Sequence, residues 1–179
     1  MTYRKSKLVL FVILTLSGYA FSTEIISGKY GVFQFTHTVI LPGDPEQIYD
    51  AITGDISGWW DHSFSEKPLK FFIEAKPGGQ FYEIFDESGD GVIHAVVILA
   101  QRGKMLRFDG PLGLSGRAVQ GVYTYSFESM RADSTQLKLD VHLSGEIDAE
   151  VAKIVEKVWS HFILDRFKPY IESGKHITK

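Results

Sequence analysis

Residues 58–62 read Gly-Trp-Trp-Asp-His, 77–81 read Pro-Gly-Gly-Gln-Phe, 91–94 read Gly-Val-Ile-His, and 106–113 read Leu-Arg-Phe-Asp-Gly-Pro-Leu-Gly. The segments around these four motifs are rich in Val, Ile, Phe and Tyr, and glycine and proline separate them. This composition is typical of β-strands joined by tight turns. The region that decides the fold is therefore a series of strands.

Seven strands are predicted, at residues 30–41, 69–75, 80–86, 91–100, 104–109, 118–128 and 136–144. The first strand ends at Pro42, where a ring without a backbone N–H stops the ladder. Asp44 and Pro45 then supply the N-cap and first-turn proline of a short amphipathic helix. Residues 57–60 predict a second short helix or turn.

A long final helix is predicted from Asp148 to about Ser173. Apolar side chains recur at helical spacing between Val151 and Ile163, and Gly174 follows as a stop signal. The expected inward stripe includes Val155, Val158 and Phe162. The long helix is the element that covers the sheet.

The four motifs, with Leu41-Pro42 and Ile48-Tyr49-Asp50-Ala51-Ile52 before them, resemble the SRPBCC superfamily of START-like or birch-pollen-allergen-like helix-grip domains. The resemblance covers residues 30–172 and is to the branch of polyketide cyclases and heat-shock-ATPase activator homologues. It implies an α+β helix-grip fold, with a curved seven-stranded antiparallel sheet around the C-terminal helix and two short helices after the first strand. It also implies an apolar cavity between sheet and helix.

The first 22 residues have the layout of a secretory signal peptide. Three basic residues precede an apolar run at 8–16, and small residues occupy positions 20 and 22. We expect cleavage after Ser22, with cleavage after Ala20 as an alternative and an uncleaved anchor as the runner-up. Residues 23–179 would then form a single SRPBCC domain in the periplasm or outside the cell, without stable membrane insertion.

Charge and cysteine content exclude several kinds of partner, anchor and catalytic group. Without the signal segment, 16 basic residues face 22 acidic ones, so the formal net charge moves from −3 to −6. An acidic domain without a basic stripe argues against nucleic acid as a partner. The absence of cysteine excludes a lipoprotein anchor, disulfides and a cysteine nucleophile.

Aromatic side chains make up 13% of the chain, and many lie on strands whose alternation turns one set inward. Several of them together would line a cavity that accepts an apolar ligand. Because the sheet has two faces, not every candidate can point inward. The candidate ligand-binding residues are Trp59, Trp60, Phe72, Phe81, Phe85, His94, Phe108, Tyr123, Trp159 and Phe162.

The polar candidates for acid–base catalysis are Asp61, His62, Glu83 and His94. His94 is the most unexpected of them, because it lies within a strand of Val and Ile residues and needs a partner if buried. The spacing of the four residues matches no metal-binding motif, so neither a metal nor another cofactor is predicted. The glycine-rich loop at residues 112–116 lies between strands and, by the resemblance, beside the cavity entrance.

Two functions fit these features. The first is an exported protein that binds a small apolar or amphipathic molecule in the cavity. The alternative is a cyclase- or dehydratase-like enzyme in which a histidine and a carboxylate act as acid and base. A chaperone-associated module, as in the heat-shock-ATPase activators, is disfavoured by export. The sequence leaves the ligand, the pathway and the oligomeric state open.

Overall fold

The computed structural model describes residues 29–131 and 133–178, so the predicted signal peptide lies outside the described residues. Within the described part, eight strands form one antiparallel sheet in the order β1-β8-β7-β6-β5-β4-β3-β2. The strands are β1 (Gly31–Pro42), β2 (Gly54–Asp55), β3 (Lys70–Ile73), β4 (Gln80–Ile84), β5 (Gly91–Gln101), β6 (Met105–Asp109), β7 (Val119–Met130) and β8 (Ser134–Gly145). The sheet and the C-terminal helix confirm the predicted helix-grip architecture.

Two details of the prediction need correction. The eighth strand is β2, whose two residues pair with Ile73 and Phe72 of β3, and it is too short to show an alternating pattern in the sequence. The second short helix is reduced to one turn, in which the N–H groups of Trp59 and Trp60 both donate to the carbonyl of Ile56 at 3.1 and 2.9 Å.

Helix α1 (Pro45–Ile52) begins as predicted. A carboxylate oxygen of Asp44 accepts the backbone N–H of Gln47 at 2.9 Å, and the Gln47 side chain accepts the N–H of Asp44 at 3.2 Å. This capping box satisfies backbone donors that would otherwise lack partners. The helix buries Ile48 and Ile52 against the sheet.

The C-terminal helix is continuous in space but not uniform. It consists of α2 (Ala149–Ser160), a π-helical segment (His161–Phe167) and α3 (Lys168–Glu172). The N–H of Lys168 donates to the carbonyl of Ile163, five residues back. Sequence periodicity predicted a regular α-helix here, so the π-helical segment is a correction. None of the described helices combines the length and apolarity needed to cross a bilayer.

The core lies between the concave face of the sheet and the inward face of this helix. Trp159, Phe162, Ile163 and Phe167 are each no more than 3% exposed. Of the predicted stripe, Phe162 is buried, whereas Val155 and Val158 are only half-buried because they border a cavity. Helix and sheet therefore meet through large aromatic side chains.

Phe162→Ala tests how far the fold depends on this contact. The Phe162 ring stacks on Trp60 with centroids 3.9 Å apart, so its removal should lower the free energy of unfolding by about 3 kcal/mol or more. Chemical denaturation measures the change. The control is Ile154→Ala on the same helix, where the side chain is 61% exposed and the loss should stay below about 1 kcal/mol. Equal losses would mean that the helix is phased differently.

Candidate functional site: an apolar cavity under the C-terminal helix

A cavity of about 410 Å³ lies between the sheet and α2. Its walls come from the segment 60–64, from β4, β5 and β7, from the loop after β6, and from the helix. The lining is almost entirely aromatic and aliphatic. The volume of the cavity falls within the range of small-molecule sites in proteins.

Six of the ten predicted ligand-binding residues line this cavity. They are Trp60, Phe81, His94, Tyr123, Trp159 and Phe162. The prediction missed the loop residues Phe64, Pro111, Leu112 and Leu114 and the helix residues Ile154, Val155 and Val158. Aliphatic residues carry no signal that separates a cavity wall from ordinary core, although the resemblance did indicate the loop.

Two of the four remaining candidates are buried elsewhere. Trp59 is 1% exposed and packs against Phe167 at a centroid distance of 4.8 Å, so the adjacent tryptophans divide between core and cavity wall. Phe108 lies behind the wall, stacked on Tyr123 at 5.3 Å. Both side chains support lining residues without forming the surface of the cavity.

The other two candidates do not line the cavity. Phe72 alternates with the inward Phe71 and packs beside Tyr82 on the opposite face of the sheet, with the ammonium of Lys70 4.7 Å from its ring. Phe85 is half-buried just beyond the end of β4 and does not line the cavity. The phase of the short strand β3 decided the position of Phe72, and sequence alternation did not fix that phase.

Glu83 is fully buried, and its carboxylate holds the segment that closes one side of the cavity. One carboxylate oxygen accepts the N–H of Phe64 at 2.9 Å. The other accepts the N–H and the hydroxyl of Ser65 at 2.8 and 2.9 Å. A buried carboxylate is costly unless it is hydrogen-bonded, so these donors explain how β4 tolerates it.

His94 is placed in the wall by an irregularity in β5. Phe81 pairs with Ala95 while Tyr82 pairs with Ile93, so His94 is the extra residue of a β-bulge. Its ring and the side chain of Ala95 are consequently both buried. Bulges commonly re-aim side chains beside functional sites.

One nitrogen of the buried His94 ring faces Glu83. Nε2 lies 3.4 Å from a carboxylate oxygen of Glu83, without the geometry of a hydrogen bond to it. Burial lowers the pKa of His94, and the nearby Glu83 carboxylate opposes that effect without cancelling it. The imidazole is therefore neutral at pH 7, with one donor and one acceptor nitrogen.

The loop after β6 closes another side of the cavity. Leu112 adopts φ +49°, a left-handed conformation that is unfavourable for leucine, and its side chain is buried at the cavity. The loop starts close to β5, because a Cβ on Gly110 would lie 2.6 Å from the carbonyl oxygen of His94. Only glycine allows this approach.

Asp61 and His62 form a separate polar cluster at the cavity mouth. The Asp61 carboxylate lies 2.9 Å from Nδ1 of His62, 2.9 Å from Nε2 of His161 and 3.2 Å from Nε of Arg166. Burial acts to raise the pKa of Asp61, but hydrogen bonds to His161 and His62 and the charge of Arg166 outweigh it and lower the pKa. The hydrogen bond to Asp61 raises the pKa of His161.

The structure therefore resolves the four polar candidates into two pairs, Glu83 with His94 and Asp61 with His62. Sequence analysis missed His161, which is 100 residues from Asp61 along the chain. No short-range spacing could have indicated that contact. The pair of Glu83 and His94 lies at the wall and the pair of Asp61 and His62 at the mouth, so these two parts of the cavity differ in their chemistry.

No protein-family profile and no curated protein matches the chain. Its structure is similar to the Aha1 dimer from Colwellia psychrerythraea (TM-score 0.54, 18% identity, covering 80% of this chain and 98% of that chain). It is also similar to Ara h 8.0201 (TM-score 0.56, 16% identity, covering 80% and 99%). A third similar structure is DynU16 of the dynemicin biosynthetic locus (TM-score 0.54, 19% identity), in which 79% of this chain covers 48% of that protein. The chain has the helix-grip fold.

Glu83→Gln should loosen the segment that Glu83 holds. The amide replaces an accepting oxygen with a donor that faces N–H groups, so the free energy of unfolding should fall by about 1 to 3 kcal/mol. Hydrogen exchange at Phe64 and Ser65 should accelerate. Asp86→Asn is the matched control, because that exposed carboxylate contacts Ser88 and not the segment 64–65, so both amides should be unchanged. Unchanged exchange in Glu83→Gln would contradict the assigned role.

His94 should make the protein less stable as the pH falls. Its pKa is lowered from the ordinary value of 6.5 in the folded state, so the unfolded chain binds more protons below pH 6.5. Stability should decline from pH 6.5 down to the folded pKa and then level off with respect to this group. Denaturation across pH should show a smaller decline in His94→Leu, and NMR titration should place the folded pKa below 6.5. A folded pKa above 6.5 would refute the assignment.

Proposed function

We propose that this domain binds a small, mostly apolar molecule in the cavity between the sheet and the C-terminal helix. The observation that carries the proposal is the cavity of about 410 Å³, whose apolar walls contain the buried imidazole of His94. Apolar walls favour ligands through surface removed from water, while a few polar groups fix their orientation. The helix-grip fold supports the proposal by placing this wedge between its two layers.

The hydrogen-bonding state of His94 limits the polar group of the ligand. A proton on Nε2 faces the Glu83 carboxylate at 3.4 Å and is the favoured arrangement electrostatically. Nδ1 then carries a lone pair and accepts a hydrogen bond. The preferred ligand is therefore an apolar skeleton with one hydroxyl or similar donor, rather than a carboxylate or phosphate.

A second candidate function is acid–base catalysis in the same cavity, and the pairing of His94 with Glu83 favours it. In that reading, His94 is the proton acceptor, because the Glu83 oxygens already accept three hydrogen bonds from residues 64 and 65. Glu83 would hold the ring in one tautomer and orientation. A lowered pKa keeps the imidazole neutral, as a general base requires.

We further propose that the domain acts in the periplasm or outside the cell. Support comes from the basic start, the apolar run at residues 8–16 and the small residues at 20 and 22. Intact-mass measurement of the exported protein should give a chain that begins at Thr23. Full-length protein free in the cytosol would refute this proposal.

Val158→Trp should block the cavity. Val158 is half-buried at the wall, so a larger ring there fills space that a ligand would occupy. Titration with the neutral dye N-phenyl-1-naphthylamine should show one saturable site in the wild type and at least about tenfold weaker binding in the variant, a change of about 1.4 kcal/mol. Val32→Trp makes the same change at a position that is 83% exposed and should bind like the wild type. Absence of saturable binding would refute the proposed function.

His94→Leu separates the two candidate functions in the same assay. Passive binding of the apolar dye should persist or strengthen, because a polar group is removed from an apolar wall. If the domain is an acid–base catalyst, a molecule that co-purifies with the wild-type protein should still bind to the variant but should not be converted, so kcat falls while the fold is retained. Retained conversion in His94→Leu would exclude His94 as the base.

A further inference from the structure

Three potential metal ligands from distant parts of the chain converge at the cavity mouth. Asp61 and His62 follow the turn after β2, and His161 opens the π-helical segment of the C-terminal helix. One ligand atom from each residue lies within 4.8 Å of the other two. Ligands around a tetrahedral ion, with bonds of about 2.0 to 2.1 Å, lie about 3.3 Å from one another, so small side-chain adjustments suffice.

Both carboxylate oxygens of Asp61 take part in this cluster. Oδ1 lies 2.9 Å from Nδ1 of His62 and 3.2 Å from Nε2 of His161. Oδ2 lies 2.9 Å from Nε2 of His161 and 3.2 Å from Nε of Arg166. Asp61 can therefore bind an ion through Oδ1 while Arg166 holds Oδ2 and fixes the carboxylate.

Asp165 supplies the outer contact that metal-binding histidines usually have. Its carboxylate lies 3.3 Å from Nδ1 of His161, on the far side of the ring from Asp61. A carboxylate at that nitrogen sets the ring orientation and raises the basicity of the opposite nitrogen. The π-helical segment contributes His161, Asp165 and Arg166 to this arrangement within six residues.

We propose that Asp61, His62 and His161 bind a divalent first-row transition-metal ion, such as Zn²⁺ or Co²⁺. Two imidazoles and one carboxylate suit these ions better than Mg²⁺ or Ca²⁺, which prefer oxygen ligands. Three protein ligands leave coordination positions free, as in catalytic rather than structural zinc sites. The His62 side chain also lines the cavity, so the free positions are accessible at its mouth.

The metal site is independent of the proposed cavity ligand, and its test uses the metal alone. Protein purified without an affinity tag is titrated with Co²⁺, followed by visible absorption, and with Zn²⁺, followed by calorimetry. The wild type should bind one ion per chain. His62→Ala and His161→Ala should each weaken binding more than tenfold, and Asp165→Asn, a change in an outer contact, should weaken it by about ten- to a hundredfold.

His37→Ala is the matched control. His37 also lies beside a carboxylate, with Nε2 3.4 Å from Glu156, but it is not part of the cluster, so metal binding should be unchanged. Circular dichroism checks that each variant is folded, and His62→Ala carries the test if His161→Ala is not, because its side chain is 55% exposed. Absence of saturable binding in the wild type, unchanged binding in His62→Ala, or an equal loss in His37→Ala would overturn the proposal and leave the cluster as an ion-pair network.

Discussion

Burial of the Glu83 carboxylate is the constraint that organises one side of the molecule. A charged group on the inner face of a strand needs hydrogen-bond donors. The backbone N–H groups of the neighbouring strands are already hydrogen-bonded within the sheet. The donors come from Phe64 and Ser65, which draws the segment after the tight turn across the sheet. Trp60, Asp61 and His62 are thereby held against the C-terminal helix. The wall and the mouth of the cavity both depend on this one anchoring.

The cavity persists because rigid aromatic rings fill the core around it. Trp60 stacks on Phe162, and Phe108 stacks on Tyr123, so the rings support one another rather than collapse inward. Planar aromatic rings adapt to a void less readily than the flexible side chain of methionine. A void in such a core costs van der Waals contacts, and relaxation of the surrounding side chains recovers only part of that energy. Ligand binding, as proposed above, is the simplest reason for a protein to keep a cavity at the expense of this packing energy.

Sequence reasoning succeeded where the determinants are local. The caps at Asp44 and Asp148 and most strand boundaries follow from neighbouring residues, and strand alternation turned Phe81 and Tyr123 inward as expected. Alternation was misleading at Phe72, because β3 has only four residues to set its phase. His94 lies in the cavity wall because of a bulge, which depends on pairing with β4 and leaves no local signature in the sequence.

The mouth of the cavity shows a different limit. Asp61 and His161 are separated by 100 residues, and their meeting depends on the whole fold. Each has a partner close in sequence, His62 for Asp61 and Asp165 for His161, but neither short pair predicts the cluster that the two pairs form together. Long-range convergence of this kind becomes visible only when sheet, turn and helix are assembled.

The π-helical segment determines the rotational phase of everything that follows it. The hydrogen bond from Lys168 reaches back five residues instead of four, so the segment accommodates an additional residue within the helix. If the same number of residues were wound as a regular α-helix, the end of the chain would be rotated by about 100°. Tyr170 and Ile171, now buried, would then turn away from the core. The number of residues in the helix, and not only their types, therefore decides which side chains reach the core.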